Sequence, residues 1–235
     1  MFVSESAFLQ VRGLCVSYGP SQVLFDVTLA VPRHGAIAVL GRNGAGKSTL
    51  LKTIVGELAP RSGSIVLNLQ DVTRLPTERR IRCGLGYVPQ EHSVFSRLSV
   101  RENLEVGALT NRDRLPIDQV LAWFPKLGQR LGQPAGTLSG GERKMLAIGR
   151  AMLAGPKLLL LDEPTEGVWI GVVEEIAEYL RGLIKDIAVV IVEQHLKLAL
   201  SLADYAYVLD RGRVAMEGRS AEVGKDAKLL KLLAP

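Results

Sequence analysis

The sequence predicts an α/β protein: a parallel-sheet core, an antiparallel β region near its N-terminus and a helical lobe inserted part-way along. Three observations predict this. Three apolar runs, Ala36–Leu40, Leu158–Leu161 and Ile187–Val192, are continuous rather than alternating, as strands covered on both faces should be. Ahead of the first run and just beyond it, apolar residues alternate, the signature of half-buried antiparallel strands. Between Gln90 and Pro156 the apolar period becomes helical, and Pro116, Pro125 and Pro134 punctuate the stretch.

Taken in order, Leu9, Val11, Leu14, Val16 and Tyr18 form the first alternating set. Val27, Leu29 and Val31 form the second, and Ile65, Leu67 and Leu69 the third. Ala36–Leu40 leads directly into Gly41–Arg42–Asn43–Gly44–Ala45–Gly46–Lys47–Ser48, which spells G-x-x-x-x-G-K-S. The chemistry dictates these residue types. Glycines let the backbone turn tightly so that its N–H groups converge on a phosphate chain, Lys47 reaches the β- and γ-phosphates, and the Ser48 hydroxyl ligates Mg²⁺. Thr49 follows in the same cradle. Leu50, Leu51, Ile54 and Val55 then recur at helical spacing before Gly56, a helix end. Strand, loop and helix together predict a P-loop nucleoside-triphosphatase core.

Glu102–Leu109, Ile117–Trp123 and Glu142–Leu153 read as helices of the inserted lobe. Leu158–Leu161 then delivers Asp162 and Glu163 to the carboxyl end of the sheet. There Asp162 would hold Mg²⁺ through water, and Glu163 would polarise the water that attacks the γ-phosphate. Val172, Val173, Ile176, Leu180, Leu183 and Ile184 mark a helix that joins this strand to Ile187–Val192, making a β-α-β crossover. The tail, Ala221–Leu233, reads as helical. One domain over residues 1–235 is expected, with a core lobe of about 1–90 and 156–235 and a helical lobe of about 91–155.

Leu138–Ser139–Gly140–Gly141–Glu142 places a hydroxyl and two glycines at a helix start, where free N–H groups and the positive dipole end face outward. The same pattern also serves as a plain N-cap. Because the P-loop already holds a phosphate chain, the anion for this second site is expected from another subunit. With LSGGE between the P-loop and the acidic strand, the chain resembles the ATP-binding subunits of ABC transporters over nearly all its length. The resemblance implies that Ser139, Gly140 and Gly141 of one subunit cap ATP held by the other. It implies that Tyr18 stacks on adenine, that Gln90 in GYVPQ senses Mg²⁺ and the membrane partner, and that His195 in VIVEQH is the switch residue at the γ-phosphate. ATP and Mg²⁺ are the implied ligands.

The stretch around Gln90 and the run DEPTEG are similar to the second ATPase of branched-chain amino acid importers and to related urea and short-chain amide importers. That likeness implies a homodimer or sister heterodimer, permease subunits met by residues 91–101, and a periplasmic binding protein that selects the solute. It implies a peripheral place at the cytoplasmic face of the inner membrane. Trp169 and Ile170 depart from the family pattern, which carries an acid, glutamine or serine and then proline at these two places. An exporter ATPase would carry the same motifs, whereas ABC ATPases of ribosomes or DNA would need paired cassettes, a long coiled coil or zinc-hook cysteines.

Composition sets the remaining bounds. Apolar residues make up 47% of 235, which excludes disorder. No apolar run approaches the ~18 residues of a membrane span, and MFVSESAFLQ does not read as a secretory signal. Cys15 and Cys83 are too few for a disulfide framework and read as ordinary thiols. Net charge is +5. The densest basic cluster, Arg79, Arg80 and Arg82, lacks interleaved aromatics and reads as a solvated face, so no nucleic-acid partner is expected.

Overall fold

The computed structural model describes residues 7–109 and 115–233. Residues 1–6, the start of the stretch that reads as no signal, lie outside them, as do the ends of the expected 1–235 domain.

The N-terminal sheet is antiparallel, with strands β1 (Leu9–Tyr18), β2 (Ser21–Val31), β4 (Ser62–Leu67) and β5 (Gln70–Asp71) in the order β2-β1-β4-β5. The core sheet has six strands. These are β3 (Gly35–Gly41), β6 (Leu85–Val88), β7 (Leu158–Asp162), β8 (Ala188–Val192), β9 (Tyr205–Asp210) and β10 (Arg213–Arg219), in the order β10-β9-β3-β8-β7-β6. From β9 to β6 every pairing is parallel, and β10 adds an antiparallel edge.

The continuous apolar strands are explained by two cores. Ala36, Ala38 and Leu40 of β3, with Leu159 and Leu161 of β7, face one hydrophobic cluster; Ile37, Val39, Leu158 and Leu160 face the other. The second cluster lies under the antiparallel sheet and α1 (Lys47–Val55), the helix behind the phosphate loop. The first is built with α3 (Val100–Ala108), α4 (Ile117–Trp123), α5 (Pro125–Gly128) and α6 (Gly140–Leu153) of the helical lobe. Two later helices, α7 (Ile170–Leu183) and α8 (Leu196–Leu202), complete it. Short helix α2 (Thr77–Arg82) precedes β6, and the tail forms α9 (Ser220–Val223) and α10 (Ala227–Leu233).

The structure corrects the sequence reading in three places. Leu69 does not continue the third alternating strand: Asn68 and Leu69 both have positive φ, 48° and 67°, and form the two-residue turn of the β4–β5 hairpin. Arg80 is no part of a solvated face. It is 2% exposed, and its guanidinium donates to the carbonyls of Leu75, Thr53, Ile54 and Thr73. Two of those carbonyls end α1, so Arg80 caps the phosphate-loop helix at its negative end. Finally, the core sheet extends beyond the three strands expected, by β6 at one edge and by β9 and β10 at the other. The β9–β10 turn, Arg211–Gly212, also has positive φ at both residues. It passes under the phosphate loop, where Gly212 N donates to Ala45 O at 3.0 Å.

Candidate functional site

Apart from Tyr18, which ends a strand of the antiparallel sheet, the candidate groups hang from the carboxyl ends of parallel strands or from helices beside those ends, where open α/β sheets bind ligands. After β3, the chain turns through Gly41, Gly44 and Gly46, with φ of 153°, 79° and 104°. Only residues without a Cβ hold such angles easily. Leu50 N, bonded to Gly46 O at 2.9 Å, closes the first helical turn of α1. The N–H groups ahead of it are those that a helix start leaves without intrahelical acceptors. They border a cavity of about 470 Å³ whose lining includes Asn43, Gly44, Gly46, Lys47, Ser48 and Thr49. Val23, Gln90 and Glu163 complete its wall.

Lys47 is buried, and its ammonium donates to Gly41 O at 2.9 Å and Arg42 O at 3.1 Å. It stands 3.7 Å from Glu163 Oε1. Such a cation, satisfied by its own loop, is a fixed point charge facing the cradle. Ser48 Oγ donates to Asp162 Oδ1 at 3.2 Å, a long contact for a hydroxyl and a carboxylate. Burial pushes the Asp162 carboxyl above its ordinary range and the Glu163 charge adds to this, while the Ser48 hydrogen bond and the ammoniums of Lys47 and Lys144 oppose it. A hard cation between these oxygens would offset the cost of burial. Among the described residues no three His, Cys, Asp or Glu side chains converge to hold a metal alone. Magnesium here would therefore complete its shell with phosphate oxygens and water, its usual preference.

Glu163 is the centre of the polar network. It is 3% exposed and has φ of 49°. Gln90 Nε2 donates to its Oε2 at 2.9 Å, and Gln194 Nε2 reaches both oxygens at 2.9 and 3.0 Å. Gln194 also bonds Asn43 Oδ1 of the phosphate loop at 2.8 Å. Two side-chain amides and one ammonium surround this carboxylate and fix its orientation beside the cavity.

The predicted residues do not all meet. Lys47, Ser48, Asp162, Glu163 and Gln90 converge. The Gln90 amide is engaged by Glu163 and, at 2.6 Å, by Glu166 Oε2 rather than by the Ser48–Asp162 pair. His195 is not brought to the phosphate loop. It is exposed and lines a neighbouring cavity with Thr165, Glu166 and Gly167, while Gln194, one residue earlier, makes the bridge. His195 stands three residues past the end of β8 as the N-cap of α8, and Glu193 holds the loop by accepting from Gln194 N and His195 N, so that Gln194 rather than His195 meets the phosphate loop. Tyr18 ends β1 at 46% exposure, and Val23 takes the place on the cavity wall. Ser139, Gly140 and Gly141 lie beside the segment 167–172, away from this chain's own cavity. Ser139 does form an N-cap: its hydroxyl accepts from Glu142 N, and Glu142 Oε2 accepts from Ser139 N at 2.9 Å, a capping box.

Sequence reasoning missed Glu193, Gln194 and Lys144. Buried Glu193 accepts from Thr165 N and Oγ1 with one oxygen, and from Gln194 N and His195 N with the other. It thereby ties the loop after β7 to the loop after β8. An acid at the end of a continuous apolar strand was the available signal.

A phosphate cradle behind a central parallel strand, with a magnesium-compatible pair and a carboxylate facing it, defines a P-loop nucleotide hydrolase. A family model described as ABC transporter matches residues 24–166, and the chain belongs to the ABC transporter family as an ATP-hydrolysing cassette. It is 43% identical over 216 residues to the high-affinity branched-chain amino acid transport ATP-binding protein BraG of Pseudomonas aeruginosa, covering 90% of this chain and 93% of BraG. It is 40% identical over 231 residues to the probable branched-chain amino acid transport ATP-binding protein LivF of Archaeoglobus fulgidus, covering 95% and 97%. Among solved structures, an ATP-binding cassette of an ABC transporter in its ADP conformation superposes with a TM-score of 0.85 at 27% identity, covering 96% and 98%.

Proposed function

We propose that this chain is the ATP-hydrolysing subunit of an importer that carries branched-chain amino acids across the cytoplasmic membrane. The observation that carries the solute is the 43% identity to BraG over nine-tenths of both chains. The observation that carries the chemistry is a buried carboxylate, Glu163, facing the cavity of Lys47 and Ser48.

In this reading ATP lies along Gly41–Thr49. Lys47 bonds its terminal phosphates, and Glu163 takes the proton of the attacking water. Ser48 and Asp162, the latter through water, would hold Mg²⁺, with Gln90 as a further ligand; the ion, when bound, would neutralise phosphate charge. Ser139, Gly140 and Gly141 close over ATP held by a second ATPase subunit, either another copy or a sister chain, and Trp169 packs at that seam. Residues 91–101 meet a permease subunit; no helix among the described residues is itself long and apolar enough to cross a membrane. A periplasmic binding protein chooses the solute. The chain therefore works as a peripheral subunit at the cytoplasmic face of the inner membrane.

Uptake of labelled leucine and labelled urea, compared in cells with and without this gene, tests the assignment. Loss of leucine uptake is expected. Loss of urea uptake alone moves the solute to urea or a short-chain amide, and loss of neither overturns the importer reading.

A further inference from the structure

Lys144 is a buried cation that the proposed chemistry does not use. It lies on α6, three residues beyond Gly141. Its ammonium donates to Gln90 O at 2.8 Å and to Glu163 O at 3.0 Å. Those carbonyls belong to the two residues whose side chains meet over the cavity. One ammonium thus fixes the backbone on both sides of the Gln90–Glu163 pair.

Glu163 needs such a fix. Its φ of 49° lies in the left-handed region that a residue with a Cβ rarely adopts. The peptide ahead of it is held by Glu163 N, which donates to Val192 O at 2.9 Å on β8. The peptide behind it is held by Lys144. Rotation of that second peptide toward the common helical region would swing the carboxylate away from Lys47 and Gln194.

Packing alone does not explain a cation here. Burial lowers the proton affinity of Lys144, against the opposing charges of Glu166, Glu193, Asp162 and Glu163. An apolar side chain of similar length fills such space without that desolvation cost. The helix that carries Lys144 also begins at Ser139, so the same residue links the outward-facing helix start to the acid within one subunit.

We propose that Lys144 is a positioning residue for ATP hydrolysis: by holding the Gln90 and Glu163 carbonyls from α6, it keeps the Glu163 carboxylate aimed into the phosphate cavity. The proposal rests on Glu163 being the base. Lys144 itself touches no reacting atom.

The test uses the purified full-length chain and the variants Lys144→Met, Lys144→Gln, Glu163→Gln and the double variant Lys144→Met with Glu163→Gln. Phosphate release gives kcat and KM for ATP, ADP titration gives nucleotide affinity, and circular dichroism checks folding. Lys144→Met should lower kcat ~10–100-fold, the scale of a misplaced reacting group. KM and ADP affinity should stay within about twofold, because binding common to ground and transition states is retained. Lys144→Gln keeps N–H donors without the charge and should recover most of the turnover. If Lys144 acts through Glu163, the double variant is no slower than Glu163→Gln.

Normal turnover in Lys144→Met, a multiplied loss in the double variant, or equal losses in Lys144→Met and Lys144→Gln each overturn the proposal and leave the base reading standing. Near-normal turnover in Glu163→Gln overturns the base reading and the proposal with it. If Lys144→Met does not fold, Lys144→Gln alone and combined with Glu163→Gln carry the test: a rise in KM with a matching loss of ADP affinity, or a double variant slower than Glu163→Gln, overturns the proposal.

Discussion

Replacing Arg80 by methionine should destabilise the protein far more than a change in a surface basic cluster would. The guanidinium donates four hydrogen bonds, to Leu75 O at 2.8 Å, Thr53 O at 2.7 Å, Ile54 O at 2.8 Å and Thr73 O at 2.9 Å. Methionine fills much of the stem's volume and donates to none of them. A hydrogen bond from a charged donor contributes about 1.5–3 kcal/mol, and each buried acceptor left without a partner costs about 1–3 kcal/mol. The four do not add independently, because neighbouring carbonyls share one donor group, and removing a buried charge also recovers its desolvation cost. A net loss of about 3–5 kcal/mol follows from these terms. That is a large share of the ~5–15 kcal/mol by which domains are stable. For a chain of this size each kcal/mol lowers the melting temperature by about 2–4 °C, so a fall of about 6–20 °C is expected. A lysine in its place would retain the charge but not the fork that reaches four carbonyls, and Arg80→Lys should lose about half as much. Thermal unfolding followed by circular dichroism, with urea unfolding as a check that the m-value is unchanged, measures both. A fall below about 2 °C for Arg80→Met would refute the assignment of Arg80 as the internal cap of α1.

Two further outcomes follow from the geometry of the loops. A Cβ on Gly212 would lie 1.8 Å from Val23 O, and the residue has φ of 76°; Gly212→Ala should cost about 2–4 kcal/mol in urea unfolding and weaken ATP binding, because the turn supports Ala45. Ser139→Arg should abolish ATP-dependent self-association in equilibrium sedimentation while leaving nucleotide affinity of the single chain nearly intact, since Ser139 does not line its own cavity; association equal to that of the unmodified chain would remove Ser139 from the interface.

The phosphate cradle was legible because its chemistry is local. Gly41–Ser48 carries the loop, the cation and the hydroxyl in eight consecutive residues, and Asp162 and Glu163 follow their strand directly. The parallel core was legible because strands covered on both faces need continuous apolar runs, as Leu158–Leu161 has. The turn Arg211–Gly212 and the apolar Tyr205–Leu209 before it also carried a strand signal. Other features depend on residues far apart in the chain. Arg80 looks like its exposed neighbours Arg79 and Arg82, and two of the four carbonyls that hold it lie 26 and 27 residues away. Lys144 reads as a surface lysine on an amphipathic helix until Gln90 O and Glu163 O are placed beside it. The choice between Gln194 and His195 turns on the path of the loop between β8 and α8, which Glu193 ties down and which no strand period predicts.

The proposed chemistry depends most on Glu163 taking the proton from water at the phosphate cavity. Glu163→Gln keeps the shape, and its amide still offers one acceptor oxygen to Gln90 and Gln194, but the basic carboxylate is gone. Steady-state phosphate release by the Glu163→Gln chain, paired with ATP titration of the same sample, is the direct measurement. Turnover should fall ~10²-fold or more with ATP binding retained, the signature of a lost general base. Turnover close to that of the unmodified chain, with ATP bound equally well, would contradict that role for Glu163.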